Sequence, residues 1–168
     1  MQDTERIMDE VVERLEKGTV RRFEFISEYD DLNPEEFLPR RSTEDSAGYD
    51  FICIKEQTIA PKSFGTIMTG IKVQMPRGEY LQLCNRSSNP KKRGLILANG
   101  VGVIDADYYD NPENEGNIGF MFFNMRDEEV TLHVGDKIGQ GIFQEYKKTN
   151  PDNVEHKTRS GGFGSTGA

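Results

Sequence analysis

The chain has 168 residues, a formal net charge of −8 and a hydrophobic content of 35%, which together indicate one domain with a sizeable core. The acidic balance argues against a general nucleic-acid surface, which needs a basic face, and no apolar run approaches the length of a membrane-spanning helix. The polar N-terminus lacks the apolar core of a signal peptide. We therefore expect a cytoplasmic protein that binds neither nucleic acid nor membrane.

The first predicted element is an accessory amphipathic helix, Asp3–Lys17, within an N-terminal segment of residues 1–19. Its apolar side chains fall on one helical face: Ile7, Met8, Val11, Val12 and Leu15. A helix this short is marginal alone and must dock its apolar face. We expect it to pack on its own or a neighbouring subunit, with protein-partner binding as the alternative.

Residues 20–146 are predicted to form an all-β domain, a jelly-roll-like sandwich, because many short strand-like runs recur between turn signals. The predicted strands are Val20–Tyr29, Tyr49–Ile54, Gly65–Val73, Tyr80–Cys84, Leu95–Leu97, Val101–Ile104, Ile118–Phe123, Val130–His133 and Lys137–Tyr146. Asp30–Ser46 and Asn111–Gly116 are predicted to be loops, the second a further candidate surface for a protein partner. Residues 147–168 are predicted to be a flexible Gly-rich arm. Cys53 and Cys84 lie in strand-like runs and are expected to be buried free thiols.

The stretch Arg86–Asp110 is the most informative part of the chain. Asn99-Gly100 between two apolar runs predicts a type I′ hairpin that joins Leu95–Leu97 to Val101–Ile104. Arg86-Ser87-Ser88 precedes this hairpin and offers donors to phosphate oxygens. Asp105, Asp107 and Tyr108 follow it. Lys91-Lys92-Arg93 is interpreted as a solvated basic patch that steers an anionic ligand.

Five segments, in this order, resemble the motifs of the trimeric dUTP pyrophosphatases (dUTPases). The resemblance covers roughly Val20 to Ala168. The segments are Ala47–Phe51, Arg86–Ser88, Gly102–Tyr108, Gly135–Gln140 and Gly161–Gly167. The resemblance implies a homotrimer that hydrolyses dUTP to dUMP and pyrophosphate at sites shared among subunits.

The resemblance also implies roles for individual residues. Asp105 would be the general base that activates the water attacking the α-phosphorus. The phosphates would be bound by Arg86, Ser87, Ser88 and Gln140. The uracil and sugar would be read by the stretch that contains Asn99, Gly102, Ile104 and Tyr108, with Tyr108 below the deoxyribose.

The C-terminal arm is expected to close over the bound nucleotide. By the resemblance, Phe163 stacks on the uracil ring, and Arg159, Gly164, Ser165 and Thr166 contribute to phosphate binding. The family's arginine usually lies five residues before this Phe. Thr158 occupies that position here, and Arg159 follows it.

The implied cofactor is Mg²⁺, with Asp50 reaching it through water. Mg²⁺ keeps several waters and uses substrate phosphates as ligands, so a compact cluster of carboxylates is not required. Two further departures from the family occur in its fourth motif, where Lys137 and Gly139 replace Arg and Ala. We expect these two changes to affect packing more than chemistry.

Two alternatives are weighed beside this interpretation. The related dCTP deaminases need a Glu base before an aromatic pair and Asn, but Met121 stands there in this sequence. A phage-type dUTPase with an added regulatory role would bind a protein partner through the Asp3–Lys17 helix or the Asn111–Gly116 loop.

Overall fold

The computed structural model describes residues 20–152, and within them β-strands dominate, which confirms the all-β prediction. The strands are β1 (Arg22–Phe25), β2 (Arg40–Arg41), β3 (Tyr49–Ile52), β4 (Gln57–Ile59), β5 (Phe64–Met68), β6 (Ile71–Gln74), β7 (Glu79–Cys84), β8 (Leu95–Leu97), β9 (Gly102–Asp105), β10 (Gly119–Asn124), β11 (Val130–Leu132) and β12 (Lys137–Glu145). The helical turns are short: α1 (Pro34–Phe37), two 3₁₀ turns (Ser27–Tyr29 and Ala106–Tyr108) and a π-helical turn (Asn89–Arg93). None of these described helices is long and apolar enough to cross a membrane. The predicted helix Asp3–Lys17 and the arm residues from Arg159 onward lie outside the described range.

The strands form four antiparallel sheets. The largest has five strands in the order β2-β3-β12-β7-β9, and the next has three in the order β5-β10-β8. Strands β1 and β6 form one two-stranded sheet, and β4 and β11 form another. The rings of Phe51 in β3 and Phe120 in β10 are in edge contact, with centroids 5.3 Å apart. The two larger sheets therefore face each other across a shared core, as expected for a sandwich.

Alternating burial along the central strands explains why this sequence packs as a sandwich. Residues of β7 alternate between buried and half-buried positions, the period of two that a strand with one inward face requires. The inward side chains are large and fully enclosed; they include Phe51, Leu81, Phe120, Phe122 and Ile138. Their burial supplies the main stabilisation of the domain.

Several predicted boundaries are wrong. The run Gly65–Val73 forms two strands rather than one, because the chain turns at Thr69-Gly70, where Gly70 has a φ of +69°. The predicted loop Asp30–Ser46 contains α1 and β2. Asn33 caps α1 by accepting a hydrogen bond from the Glu35 N–H at 3.0 Å, and Pro34 occupies the first helical position, both standard signals for a helix start.

The predicted type I′ hairpin around Asn99-Gly100 is also wrong. Strand β8 pairs with β10, whereas β9 pairs with β7, so the turn connects two different sheets. Of the two turn residues only Gly100 has a positive φ, of 73°, and a type I′ turn needs positive φ at both. The turn closes instead through the Gly100 N–H, which donates to the Leu97 carbonyl at 3.1 Å.

Gly139 lies where β12 packs most closely against the core. A Cβ atom at this position would lie 2.2 Å from a ring carbon of Phe120. Phe120 is fully buried and its ring contacts the rings of Phe51 and Phe122. A side chain at residue 139 would therefore force this core to shift.

We predict that Gly139→Ala lowers the free energy of unfolding by about 1–3 kcal/mol through overpacking. The same substitution should cost less in a Phe120→Leu background, since the smaller side chain leaves room for the methyl group. Urea unfolding of the wild type, the two single variants and the double variant measures both quantities. An unchanged midpoint for Gly139→Ala would show that the core relaxes around residue 139.

Candidate active site

Asp50 is the centre of a charged cluster at one end of the five-stranded sheet. Its side chain is only 14% exposed. One carboxylate oxygen accepts hydrogen bonds from Lys137 Nζ at 2.6 Å and Ser42 Oγ at 2.7 Å, and the other lies 3.4 Å from Arg86 Nε. The carboxylate is thus compensated by two cations and a hydroxyl.

These partners outweigh the cost of burying the Asp50 carboxylate. Burial by itself raises the pKa of this group, but the hydrogen bonds from Lys137 and Ser42, together with the charges of Lys137 and Arg86, leave its pKa below the ordinary value. Asp50 is therefore ionised at neutral pH and adds little net negative charge to the cluster.

A β-bulge in β12 brings Lys137 and Gln140 onto the same face as Asp50. Lys137 pairs with Ile52 and Gln140 pairs with Asp50, so three steps along β12 match two along β3. In a regular strand, residues three apart point to opposite faces. The extra residue restores a common face, and the adjacent Ile138 and Gly139 are both buried as a consequence.

The turn that follows β7 presents Arg86, one of the two cations of the cluster. Asn89 is buried at its base and donates to the Ile138 carbonyl at 2.7 Å and to Asn85 Oδ1 at 2.8 Å. Its backbone N–H closes the turn on the Arg86 carbonyl at 3.0 Å. This anchoring leaves Ser87 exposed and Ser88 half-buried, so the turn presents hydroxyls and a guanidinium from a fixed base.

Gln140 lies across the first motif. Its Nε2 donates to the Asn85 carbonyl at 3.3 Å, and a Cβ atom at residue 48 would lie 2.1 Å from its Oε1. Gly48 therefore gives the amide of Gln140 the space to lie between β3 and the turn after β7. An open cleft of about 490 Å³ adjoins this end of the sheet and includes Arg40, Ser42, Asp50 and Lys137 in its lining.

Two expectations about the basic residues are corrected by these contacts. Arg93 is part of the structure rather than a solvated patch, because its guanidinium pairs with Asp136 at 2.8 Å and donates to the Lys137 carbonyl at 3.0 Å. Lys91 and Lys92 are exposed as expected. Lys137 is a direct partner of Asp50, so its place in the fourth motif concerns the electrostatics of the site and not packing alone.

Asp105 lies far from this cluster in the same chain. It ends β9, at the edge of the five-stranded sheet, opposite Tyr80, while Gln140 is opposite Cys84. Four residues along β7 separate these two register positions by about 13 Å, and the two strand spacings between β9 and β12 add about 10 Å sideways. The structure therefore does not bring Asp105 of one chain to the Arg86–Ser88 turn of the same chain.

The residues around Asp105 hold its strand in place. Ile104 is buried, and Gly102 lies opposite Leu83 so closely that a Cβ atom would be 2.9 Å from the Leu83 side chain. Asn99 is exposed in the turn before β9. An edge strand supported in this way holds the Asp105 carboxylate at a fixed position.

Tyr108 is 4% exposed and its hydroxyl is bound within the fold. The hydroxyl donates to the Asn117 carbonyl at 3.0 Å and accepts a hydrogen bond from Asn114 at 2.8 Å. Asn111 is buried at the start of the same loop and donates to the Tyr108 carbonyl at 2.8 Å. The Asn111–Gly116 loop is therefore tied to Tyr108 rather than being a loose surface segment.

Comparison with known proteins agrees with the five motifs. The sequence model of the dUTPase family matches residues 35–167. The chain is 45% identical over 150 residues to the deoxyuridine 5′-triphosphate nucleotidohydrolase of Lactococcus lactis subsp. lactis. The aligned region covers 89% of this chain and 99% of that protein. The chain belongs to the dUTPase family.

Solved structures of dUTPases share the fold. The Streptococcus mutans dUTPase superposes with a TM-score of 0.72 at 44% identity, over 76% of this chain and 97% of that one. A variant dUTPase from phage phi11 of S. aureus superposes with a TM-score of 0.63 at 21% identity, over 82% of this chain and 98% of that one. The structure of that variant describes the coordination of a structural Mg(II) ion. The predicted jelly-roll-like sandwich is thereby confirmed.

The contacts of Asp50 generate a prediction about its ionisation. Lys137→Met removes a hydrogen bond and a charge, so the pKa of Asp50 should rise, whereas Lys137→Arg should keep it low. NMR titration of the carboxyl carbon measures this directly. A lowered folded-state pKa stabilises the fold above the unfolded value of about 3.9, and this stabilisation is lost as pH falls through the folded-state pKa.

The free energy of unfolding, measured as a function of pH, gives the matching control. Lys137→Met should be less stable than the wild type at neutral pH, and the difference should shrink in acid. If Lys137→Met leaves the pKa of Asp50 where it was, then Ser42 and Arg86 are its dominant partners.

Proposed function

We propose that this dUTPase-family chain hydrolyses dUTP to dUMP and pyrophosphate. The observation that carries the proposal is the cluster at the end of the five-stranded sheet, where Lys137 and Gln140 share a face with Asp50 and Arg86 lies 3.4 Å from its carboxylate. Ser87 and Ser88 follow Arg86 in the same turn. Cations and neutral donors of this kind suit the oxygens of a polyphosphate. In the proposal Arg86, Ser87, Ser88 and Gln140 bind these oxygens.

Asp105 is the proposed general base. Its carboxylate takes a proton from a water molecule as the water oxygen bonds to the α-phosphorus. The bond from that phosphorus to the oxygen bridging the α- and β-phosphates breaks, and pyrophosphate leaves with the bonding electron pair. The rigid edge strand supports this role, because a base is effective only when it is held near the reacting water.

The same strand and its flanking turns are proposed to select the nucleotide. Backbone groups of the stretch that includes Asn99, Gly102 and Ile104 would match the uracil edge. Within residues 20–152, β9 is the last strand of its sheet on this side. Tyr108 would exclude a ribose 2′-hydroxyl. Its internal hydrogen bonds favour this role, because a steric wall discriminates only if it cannot move.

The C-terminal arm is proposed to complete the site. Phe163 would stack on the base, while Arg159, Gly164, Ser165 and Thr166 would contact the phosphates. These residues lie outside the described range, so their assignment rests on the fifth motif.

Mg²⁺ is the proposed cofactor. Residues 20–152 contain no group of three or more His, Cys, Asp or Glu side chains arranged to hold a metal ion. The candidate donor is the ionised carboxylate of Asp50, which lines the open cleft, and a single carboxylate suits an ion whose other ligands are water and substrate oxygens. Asp50 would hold it through a water molecule, and the bound ion would offset phosphate charge. The residues of this chain position the phosphates and accept the proton.

A homotrimer with shared sites is part of the proposal. The distance between Asp105 and the Arg86–Ser88 turn in one chain supports it, because a base and its phosphate-binding partners must act at the same phosphorus. Two copies can satisfy this requirement if one supplies the turn and the other supplies β9.

Cys53 is buried as expected, but Cys84 is only half-buried, contrary to the expectation. The proposed compartment is the cytoplasm, where both thiols remain reduced. The dCTP deaminase alternative is not favoured, because Met121 lies on β10 at the position of the required base and cannot exchange protons.

Pyrophosphate release tests the function. We expect release from dUTP well above that from dTTP, UTP or dCTP. Asp105→Asn keeps the shape of the side chain but removes the base, so turnover should fall by roughly 10²–10⁴-fold while nucleotide binding persists. Near-normal turnover in this variant would exclude Asp105 as the base, and equal rates for all four nucleotides would exclude a dUTP-specific site.

A further inference from the structure

A series of side-chain amides connects the Asn111–Gly116 loop to Tyr108. The first is Asn111, whose Oδ1 accepts hydrogen bonds from the backbone N–H groups of Glu113 at 3.1 Å and Asn114 at 3.2 Å. The Asn111 amide nitrogen therefore points the other way and donates to the Tyr108 carbonyl and to Asn114 Oδ1, both at 2.8 Å. Asn111 is 4% exposed, so its amide would lose these bonds without replacement if it turned over.

Asn114 carries this orientation to the phenol of Tyr108. Its Oδ1 accepts hydrogen bonds from Asn111 and from the Gly116 backbone N–H at 3.1 Å. Because two donors face the oxygen, the Asn114 amide nitrogen faces Tyr108 and donates to its hydroxyl at 2.8 Å. The hydroxyl is an acceptor on this side, so its own proton goes to the Asn117 carbonyl at 3.0 Å. The phenol is thus held by one donor and one acceptor.

Other parts of the fold support both partners of the phenol. Asn117 is bound to the turn before β6, since its Oδ1 accepts from the Gly70 N–H at 2.9 Å. The loop is closed at its base, where the Asp110 N–H donates to the Glu115 carbonyl at 3.0 Å. Lys72 of β6 pairs with both of these carboxylates, at 2.6 Å for Asp110 and 3.8 Å for Glu115. These contacts do not involve the phenol, so the loop holds Asn114 in place independently of it.

We propose that Asn114 is a specificity-determining positioning residue that keeps the Tyr108 ring where it excludes a ribose 2′-hydroxyl. This inference rests on the role of Tyr108 in the proposed function. Asn114 acts only through the phenol and contacts no substrate. Without its hydrogen bond the phenol keeps a single partner, and the ring can yield to a 2′-hydroxyl. Deoxyribose has no group at that position, so hydrolysis of dUTP does not depend on how firmly the ring is held.

Asn114→Asp tests the proposal. The variant keeps the size of the side chain and an acceptor oxygen for Asn111 and Gly116, but a carboxylate cannot donate to the Tyr108 hydroxyl. The ratio of kcat/KM for dUTP to kcat/KM for UTP should fall by roughly tenfold, the size expected when a buried polar group loses one partner. The kcat/KM for dUTP and the preference for dUTP over dCTP should stay near their wild-type values. Glu113→Gln is the matched control, because Glu113 is exposed in the same loop, and it should leave all three quantities unchanged.

Tyr108→Phe shows whether Asn114 acts through the hydroxyl. This variant removes the group that Asn114 holds, so adding Asn114→Asp to it should not lower the dUTP/UTP ratio further. A general effect of residue 114 on the loop would persist in the Tyr108→Phe background. Circular dichroism checks the fold of each variant, and Asn114→Ala is measured in the same two backgrounds if Asn114→Asp does not fold.

The outcomes separate this inference from the proposed function. If Tyr108→Ala lowers the dUTP/UTP ratio but folded Asn114→Asp or Asn114→Ala does not, the role of Asn114 is overturned and the role of Tyr108 stands. If Tyr108→Ala also leaves the ratio unchanged, the proposed exclusion of ribose by Tyr108 fails, and the inference fails with it. An equal fall of the ratio with and without the Tyr108 hydroxyl overturns the inference too, because Asn114 then acts by another route.

Discussion

The register of β7 against its two neighbours determines where the polar groups of the site lie. On one side β7 pairs with β12, which brings Gln140 opposite Cys84, and on the other it pairs with β9, which places Asp105 opposite Tyr80. Side chains in a strand alternate between faces, so these positions share the outward face of the sheet. They are nevertheless held well apart along the strands. Within one chain the fold thus holds these two groups of polar residues apart.

Each group has its own means of support. At the Asp50 end, the bulge in β12 aligns Lys137 and Gln140 with Asp50, and buried Asn89 holds the Arg86 turn. At the other end, the close contact of Gly102 with Leu83 and the internal bonds of Tyr108 hold the edge strand. The rigidity of both ends is consistent with chemistry that depends on positioning and charge more than on covalent steps.

Local patterns in the sequence predicted the fold class and most strands, because period-two burial and turn residues are local signals. Which strands pair with each other was harder to predict from the sequence. Asn99-Gly100 indicates a turn, but the residues do not show whether the flanking strands pair with each other or enter different sheets. The direct contact of Lys137 with Asp50 depends on a bulge that no spacing in the sequence reveals. Asn33-Pro34 did carry a helix signal, which the surrounding loop-like composition obscured.

The central claim, a site that takes its base from one copy and its phosphate-binding turn from another, is tested most directly by mixing subunits. Arg86→Gln and Asp105→Asn would be unfolded and refolded together in equal amounts, with each variant refolded alone as the control. If neighbouring copies share each site, about one quarter of the sites in the mixture combine a native Arg86 with a native Asp105. Pyrophosphate release should then recover toward that fraction of the wild-type rate. A mixture no more active than the separately refolded variants would contradict the shared site.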